Sequence, residues 1–433
     1  MQKKTVEDIQ IQGKRILMRV DFNVPMKDGV IQDDTRIKAA LPTIKYVLDH
    51  GAKSLVLMSH LGDPKKETQK AKEKAEKAGK PFDEKKYVDG KHRMAPVAEH
   101  LAKRLNKQVQ LAPSCTGSET EAMVKSLPAG GILMLENTRF HKEETSKEAS
   151  EREVLAKILA SYGDIFVNDA FGTAHRAHAS TETVAHYLPA VAGFLMQREL
   201  EYLVGKIVQN PARPFVAIVG GAKISSKIAV LESLLGKVDK LIIGGGMAYT
   251  FLKAKGHSVG VSLIEEDMLQ KARDILKRAY DSHVNLYLPV DNLVTKDFAP
   301  DAAFRQVARG GMADDEMGMD IGPLTVEKFK HAVRGAKTIF WNGPLGVFEF
   351  PRFANGTLSM AHAVAELPDC VTVIGGGDSV SAVNQAGVAS KMSHISTGGG
   401  ASLELVEGKT LPGVAALLDK ASAHSAQPAL SKK

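Results

Sequence analysis

Short apolar runs recur along the chain, each closed by polar residues or glycines and followed by a stretch with helical spacing. In the first half the runs predict strands at Lys14–Val20, Ser54–Met58, Val109–Leu111, Gly131–Leu135 and Asp164–Val167. Between them, Asp33-Asp34-Thr35-Arg36 opens a helix carried by Ile37, Leu41, Ile44 and Leu48 and stopped by Gly51. Further helices are predicted over Met94–Leu105 and Ser150–Ala160. Strand-helix-strand alternation implies parallel sheets with crossovers. Gly193–Val208 reads as a helix with Leu195, Leu200, Leu203 and Ile207 on its apolar side, and Pro211 and Pro214 restart the chain. The domain boundary belongs there. The second half predicts strands at Phe215–Val219, Lys240–Ile243, Lys337–Trp341, Val371–Ile374 and His394–Thr397.

The two halves end their strands differently. In open parallel sheets ligands lie beyond the carboxyl ends of the strands. The first half puts Asp21, Asn23, His60, Arg139 and Arg176 there, with Arg36 on a helix start. Recurring cations at one rim fit a phosphorylated or carboxylated small molecule. The second half ends its strands in Gly220-Gly221, Gly244-Gly245-Gly246, Asn342-Gly343-Pro344, Gly375-Gly376-Gly377 and Gly398-Gly399-Gly400. Bare backbone admits a large flat ligand, so these turns suggest a nucleotide bed. After Phe215–Val219, Ser225 and Ser226 are expected to cap a helix beginning at Ile228, a ready anion site. Lys223 and Lys227, one helical turn apart, would reach the same anion.

Composition adds limits. A chain of 433 residues allows two to three domains, and 44% apolar with 25% charged residues is ordinary for a globular protein. A net charge of +7 suits acidic substrates. Cys115 and Cys370 are too few for a disulfide framework; they are expected to be inert packing residues in a reducing compartment. Neither a signal peptide nor a membrane-spanning run is visible. Residues 65–91 break the pattern: Lys, Glu and Ala dominate, and the segment reads as a surface insertion, helical or looped. Interleaved acids and sparse aromatics make it a poor nucleic-acid arm.

Familiar motifs fail. Gly408-Lys409-Thr410 ends like a Walker A loop, but Leu403 stands where its first glycine belongs. Each Gly-x-Gly is followed by Tyr249, Val380 or Leu403 where a dinucleotide fingerprint needs glycine, which argues against a dehydrogenase. His175 and His178 could share a helix face but lack companions at zinc spacing.

Several segments in one order resemble the phosphoglycerate kinase family: Arg19 to Pro25, Ser59-His60-Leu61-Gly62, Glu136 to His141, Asn168 to His178, Gly220 to Lys227, Asn342 to Glu349, Gly375 to Ser379 and Ser396 to Leu403. The resemblance implies an α/β protein of two doubly wound, Rossmann-like parallel-sheet lobes, 1–193 and 211–407, joined by a hinge helix at 194–210. A C-terminal segment, 408–433, would return toward the first lobe and end in a frayed polar tail. The implied reaction is reversible phosphoryl transfer between 1,3-bisphosphoglycerate and Mg-ADP, giving 3-phosphoglycerate and Mg-ATP, in glycolysis and gluconeogenesis. The triose would be held by Asp21, Phe22, Asn23, Arg36, Ser59, His60, Gly62, Arg139 and Arg176. The nucleotide would be held by Gly221, Ala222, Lys223, Lys227, Gly245, Gly311, Asn342, Pro344, Gly346, Val347, Glu349, Gly376, Gly377, Asp378 and Ser379, with Asp378 as magnesium ligand. Arg36, Lys223 and Lys227 would supply catalytic charge. Two substrates on facing lobes imply hinge closure.

One position departs from the family: Asp63 follows His60-Leu61-Gly62 where arginine is usual, leaving Arg93, Lys65 or Lys66 as substitutes. The 65–91 insertion, long for the family, starts beside it. The rival reading is a polyanion- or nucleic-acid-binding protein using that insertion. A monomer in the cytoplasm, without membrane or nucleic-acid partners, is expected. The terminus is not the Ser-Lys-Leu peroxisomal address, though the high pI and C-terminal extension leave an organellar form open.

Overall fold

The computed structural model describes residues 2–420. The chain divides into two compact units. One runs to Arg198 and resumes at Thr410; the other is Glu199–Lys409.

The first unit carries strands β1 (Arg15–Val20), β2 (Met26–Lys27), β3 (Val30–Ile31), β4 (Ser54–Met58), β5 (Val109–Leu111), β6 (Gly131–Met134), β7 (Ile165–Asp169) and β8 (Ala190–Ala192). Its helices are α1 (Thr35–Asp49), α2 (Pro64–Lys77), α3 (Glu84–Lys91), α4 (Ala95–Leu105), α5 (Ser118–Ser126), α6 (Ala149–Ala160) and, crossing out of it, α7 (Phe194–Leu200). Six strands form a parallel sheet in the order β5-β6-β4-β1-β7-β8, while β2 and β3 make a small hairpin. β4 and β7 are buried along their whole length, as strands covered by helices on both faces must be. On one face Ile16, Met18 and Val20 join Leu55 and Leu57 against Ile37 and Ile44 of α1 and Val97 and Leu101 of α4. The sequence reading missed α5 and the three-residue β8.

The second unit carries β9 (Phe215–Val219), β10 (Lys240–Ile243), β11 (Asn285–Tyr287), β12 (Asp291–Thr295), β13 (Arg305–Ala308), β14 (Met317–Ile321), β15 (Thr338–Asn342), β16 (Val371–Gly375) and β17 (His394–Ile395). Its helices are α8 (Ile228–Leu235), α9 (Met247–Ala254), α10 (Leu269–Asp281), α11 (Pro323–Val333), α12 (Asn355–Ala365), α13 (Gly377–Gln385) and α14 (Gly400–Val406); α15 (Pro412–Ala415) follows in the returning segment. The parallel sheet runs β11-β10-β9-β15-β16-β17. Numbered by chain order, its strands read 3-2-1-4-5-6, the order of dinucleotide-binding folds, with the switch point between β9 and β15. An antiparallel sheet, β13-β12-β14, was not anticipated.

Both units are therefore doubly wound parallel-sheet α/β folds. The division at Arg198 falls within the segment read as a hinge helix, where α7 runs into a π-helical stretch, Glu201–Gln209. From Thr410 the chain bonds to the first unit: Gly413 N donates to Ala174 O (2.8 Å) and Leu418 N to Ala190 O (2.9 Å). The polar tail expected to fray lies outside the described residues. Among the described residues no helix is long and apolar enough to cross a membrane.

Candidate active site

In the first unit, β1, β4, β6 and β7 deliver their ends to one rim. Asp21 follows β1, and its Oδ2 accepts from Arg36 Nη1 at 3.0 Å, fixing a side chain in the first turn of α1. Asn23 Oδ1 accepts from Gly62 N at 2.8 Å, tying the turn after β4 to that after β1. Arg139, on the short 3-10 turn after β6, donates from Nη1 to Gly62 O at 2.8 Å.

His60 is buried, and Arg19 Nη2 lies 3.2 Å from its Nδ1. A guanidinium only donates, so Nδ1 accepts and Nε2 carries the proton. Burial first, then the charges of Arg19, Arg139 and Arg36, holds His60 well below its ordinary pKa. It is a neutral donor. His178 is driven to about 3 by burial first, then by the charges of Arg139, Arg19 and Arg176. Arg176 is exposed, its Nε 3.1 Å from His175 Nε2, and its charge bears on Arg139. His175 and His178 lie in turns after β7, not on a shared helix face.

Two triose candidates work from beneath. The Phe22 ring is fully buried, so it could offer a ligand only backbone. Ser59 Oγ accepts from Phe22 N (2.9 Å) and donates to His60 O (3.0 Å), shaping the turn. Sequence reasoning assigned no role to Arg19 and overlooked Glu144. Arg19 is wholly buried, donating from Nε to Ser180 Oγ at 2.8 Å; Ser180 Oγ in turn donates to the buried Glu144 Oε1 at 2.6 Å. An arginine inside an apolar strand was the available signal.

Asp63 caps α2: its Oδ1 accepts from Lys66 N at 3.2 Å. Its charge also bears on Arg139. Arg93 is engaged by Asp89 (3.0 Å) and Glu136 (3.5 Å) and lies over the Phe140 ring, so it is not a free replacement cation. The insertion is bound to the rim. Glu67 Oε1 accepts from Asp63 N at 2.9 Å, Lys91 pairs with Glu67 at 2.7 Å, and His92 Nδ1 lies 3.2 Å from Leu61 O.

In the second unit the glycine turns pack backbone on backbone at the switch point. A Cβ on Gly220 would meet Pro344 O at 2.0 Å, and one on Gly343 would meet Gly220 O at 2.1 Å. Gly221 N donates to Pro344 O (3.0 Å), Gly245 N to Leu345 O (3.0 Å) and Met247 N to Gly221 O (2.9 Å). Ala222 lies against Gly246 in the same knot. Asn342 donates from Nδ2 to Gly375 O at 2.7 Å, and Gly343 N donates to Ser379 Oγ at 2.5 Å, which joins the ends of β15 and β16. Gly346 rests on Asp320, and Val347 N donates to Met319 O at 2.8 Å.

Lys227 Nζ donates to Asn342 Oδ1. Burial lowers the Lys227 pKa, while Asp378 and Glu407 act to raise it. Lys223 is exposed, and its charge bears on Glu265. Ser225 and Ser226 do not cap α8. Ser225 N and Oγ are spent on Glu265, Ser226 Oγ on Lys223 O, and Lys227 stands at the N-cap without a side-chain bond. Lys223 and Lys227 thus lie in the turn ahead of α8 rather than one turn apart on a helix, the first acting on Glu265 and the second bonded to Asn342.

α13 also starts uncapped. Gly376 occupies its N-cap, leaving Gly377, Asp378 and Ser379 in the first turn with the dipole's positive end. Asp378 is therefore not the cap; its carboxylate is exposed, as is Glu349. Mg²⁺ is commonly held by one or two carboxylates plus phosphate oxygens and water, so this donor set fits a cation arriving with a nucleotide. Gly311 lies in the turn after β13 of the antiparallel sheet, not at the glycine turns of the switch point: its N donates to Ala308 O at 2.9 Å and its O accepts from Arg305 at 3.4 Å. Both thiols are pushed up by burial, Cys115 well above the ordinary value and Cys370 to about 11, which keeps them protonated.

The family model for phosphoglycerate kinase matches residues 6–409. The chain is 51% identical over 420 residues to phosphoglycerate kinase of Treponema pallidum, covering 96% of this chain and 100% of that one. It is 52% identical over 421 residues to that of Enterococcus faecalis, covering 97% and 100%. Among solved structures, phosphoglycerate kinase from Coxiella burnetii superposes with a TM-score of 0.81 at 39% identity, covering 96% of this chain and 98% of that chain. The enzyme from Pyrococcus horikoshii gives 0.79 at 33%, with the same coverage. Matched over nearly its whole length, the chain is an enzyme, a kinase, and belongs to the phosphoglycerate kinase family.

Proposed function

We propose that the cationic rim of the first unit holds 3-phosphoglycerate or 1,3-bisphosphoglycerate and that the glycine turns of the second hold Mg-ADP or Mg-ATP. In the ATP-forming direction a β-phosphate oxygen of ADP attacks the acyl phosphorus, the P–O bond to the triose breaks, and the carboxylate leaves with the electron pair. In reverse, the attacking carboxylate is ionised at neutral pH and needs no general base. The neutral His60 suits this: it donates to the triose without entering proton transfer.

Catalysis then reduces to alignment and stabilisation of charge on the transferring group. Lys227, held by Asn342, carries that task with Lys223 and with Arg36, held by Asp21. The pinned Lys227 is the observation that carries the reading. Magnesium on Asp378 would neutralise charge on the phosphates when bound. Uncapped amides at α13 and the turn after Val219 receive phosphate oxygens. Transfer requires the substrates to meet, so the crossings at Arg198 and Lys409 serve as the hinge.

We assign the protein to the cytoplasm, supported by its two free cysteines. No observation favours a nucleic-acid role. A coupled assay of ATP formation from 1,3-bisphosphoglycerate and Mg-ADP tests the reading; absence of turnover would overturn it.

A further inference from the structure

The insertion and the turn after β6 enclose a cavity between them. α2 packs on α3 and on the Thr138–Phe140 turn, leaving a space of about 390 Å³. Lys65, Thr68, Gln69 and Lys72 of α2 line it, facing Arg139 and Glu84. Their spacing places all four on one helix face. A helix normally turns an apolar stripe to the body of its domain. Here the stripe toward the cavity is polar and cationic, and three cations against one acid leave the lining positive.

Two buried donors there lack partners. Thr68 is 7% exposed, and its hydroxyl makes no hydrogen bond. The Nε of Arg139 is likewise buried and unpaired, although its Nη1 is bound to Gly62 O. Unsatisfied buried polar atoms are uncommon and ask for a ligand.

We propose that this cavity is an accessory anion site that binds a phosphate group, free or esterified, through Lys65, Lys72, the Thr68 hydroxyl and the Nε edge of Arg139. Clustered charge-assisted donors are how proteins hold phosphate. The site differs from the triose rim because Thr68, Gln69 and Lys72 come from the insertion. Sharing Arg139, it lets an anion on the insertion side act on the residue that holds Gly62.

The test is calorimetric titration of the full chain with inorganic phosphate, and separately with glycerol 3-phosphate, at saturating 3-phosphoglycerate. The second arm distinguishes free from esterified phosphate. At least one anion should still bind with the triose rim filled. Lys72→Ala should weaken it about tenfold or more and Thr68→Val severalfold, with kcat unchanged in both. Binding of neither anion, full displacement by 3-phosphoglycerate, or equal affinity in the variants would overturn the proposal. If 3-phosphoglycerate itself fails to bind, the triose assignment falls, and the same titrations without it still decide this one.

Discussion

Arg19 Nη2 lies 3.2 Å from His60 Nδ1, so a fully buried guanidinium fixes the tautomer of the histidine at the candidate triose rim. It also faces buried Glu144 through Ser180. Removing one charge from such a set leaves the other unpaired, at a cost of about 3–5 kcal/mol. Arg19→Met should therefore lose stability on that scale in urea unfolding. A loss under about 1 kcal/mol would mean that Glu144 does not depend on Arg19.

His60 also predicts a missing titration. With its pKa held well below the ordinary value by burial and neighbouring arginines, it stays neutral over the working range. Affinity for 3-phosphoglycerate should show no inflection near pH 6.5 assignable to His60. Such an inflection in wild type that disappears in His60→Gln would contradict the assignment.

Lys227 is held by Asn342 at the switch point. Lys227→Ala should cut kcat by on the order of a hundredfold or more while Mg-ADP affinity, measured by calorimetry, changes only a few fold. Near-normal turnover would remove Lys227 from the mechanism.

Asp63 has two separable roles. Its carboxylate caps α2 and opposes the charge of Arg139. Asp63→Asn keeps a cap and removes the charge, so 3-phosphoglycerate should bind a few fold tighter with stability nearly unchanged. Asp63→Arg should tighten it further and cost about 1 kcal/mol through the lost cap. Unchanged triose affinity in both would show that Asp63 does not act on the site.

Asp320 lies beneath Gly346 and Gly356 and is pushed up to about 7 by burial, against hydrogen bonds from Gly356 N (2.7 Å) and Ile321 N (2.8 Å). The folded state favours its protonated form. Its contribution is intact below the unfolded value near 3.8 and lost as pH rises through about 7. Asp169, pushed to about 6, acts the same way in the first unit. Stability of the second unit should thus fall between pH 4 and 7 more steeply in wild type than in Asp320→Asn. Parallel Tm curves would contradict this.

Much of this was legible in the chain. Alternating apolar runs gave both parallel sheets, and polar strand ends such as Asp21, His60 and Arg139 stood where the rim gathers them. What sequence could not give was contact at a distance. Nothing near Arg19 in the chain points to Ser180 and Glu144, and nothing near Lys227 points to Asn342. Local rules also misled: Ser225 and Ser226 have capping chemistry, but Glu265 and Lys223 O claim their hydroxyls. The second sheet adopts a dinucleotide-type strand order without the glycine fingerprint, because stacked Gly220 and Gly343 turns do the tight packing instead. The insertion's lysines read as solvated charge, yet Lys91 pairs with Glu67 within it, and Glu67 and His92 tie it to Asp63 and Leu61 at the rim.

The most direct measurement is a crystal structure of the chain with 3-phosphoglycerate and Mg-ADP bound together. The account predicts the triose among Asp21, Arg36, His60 and Arg139, and the nucleotide phosphates over Gly221 with Lys227 turned toward them. Both ligands within one unit, or Lys227 directed away from the phosphates, would contradict it.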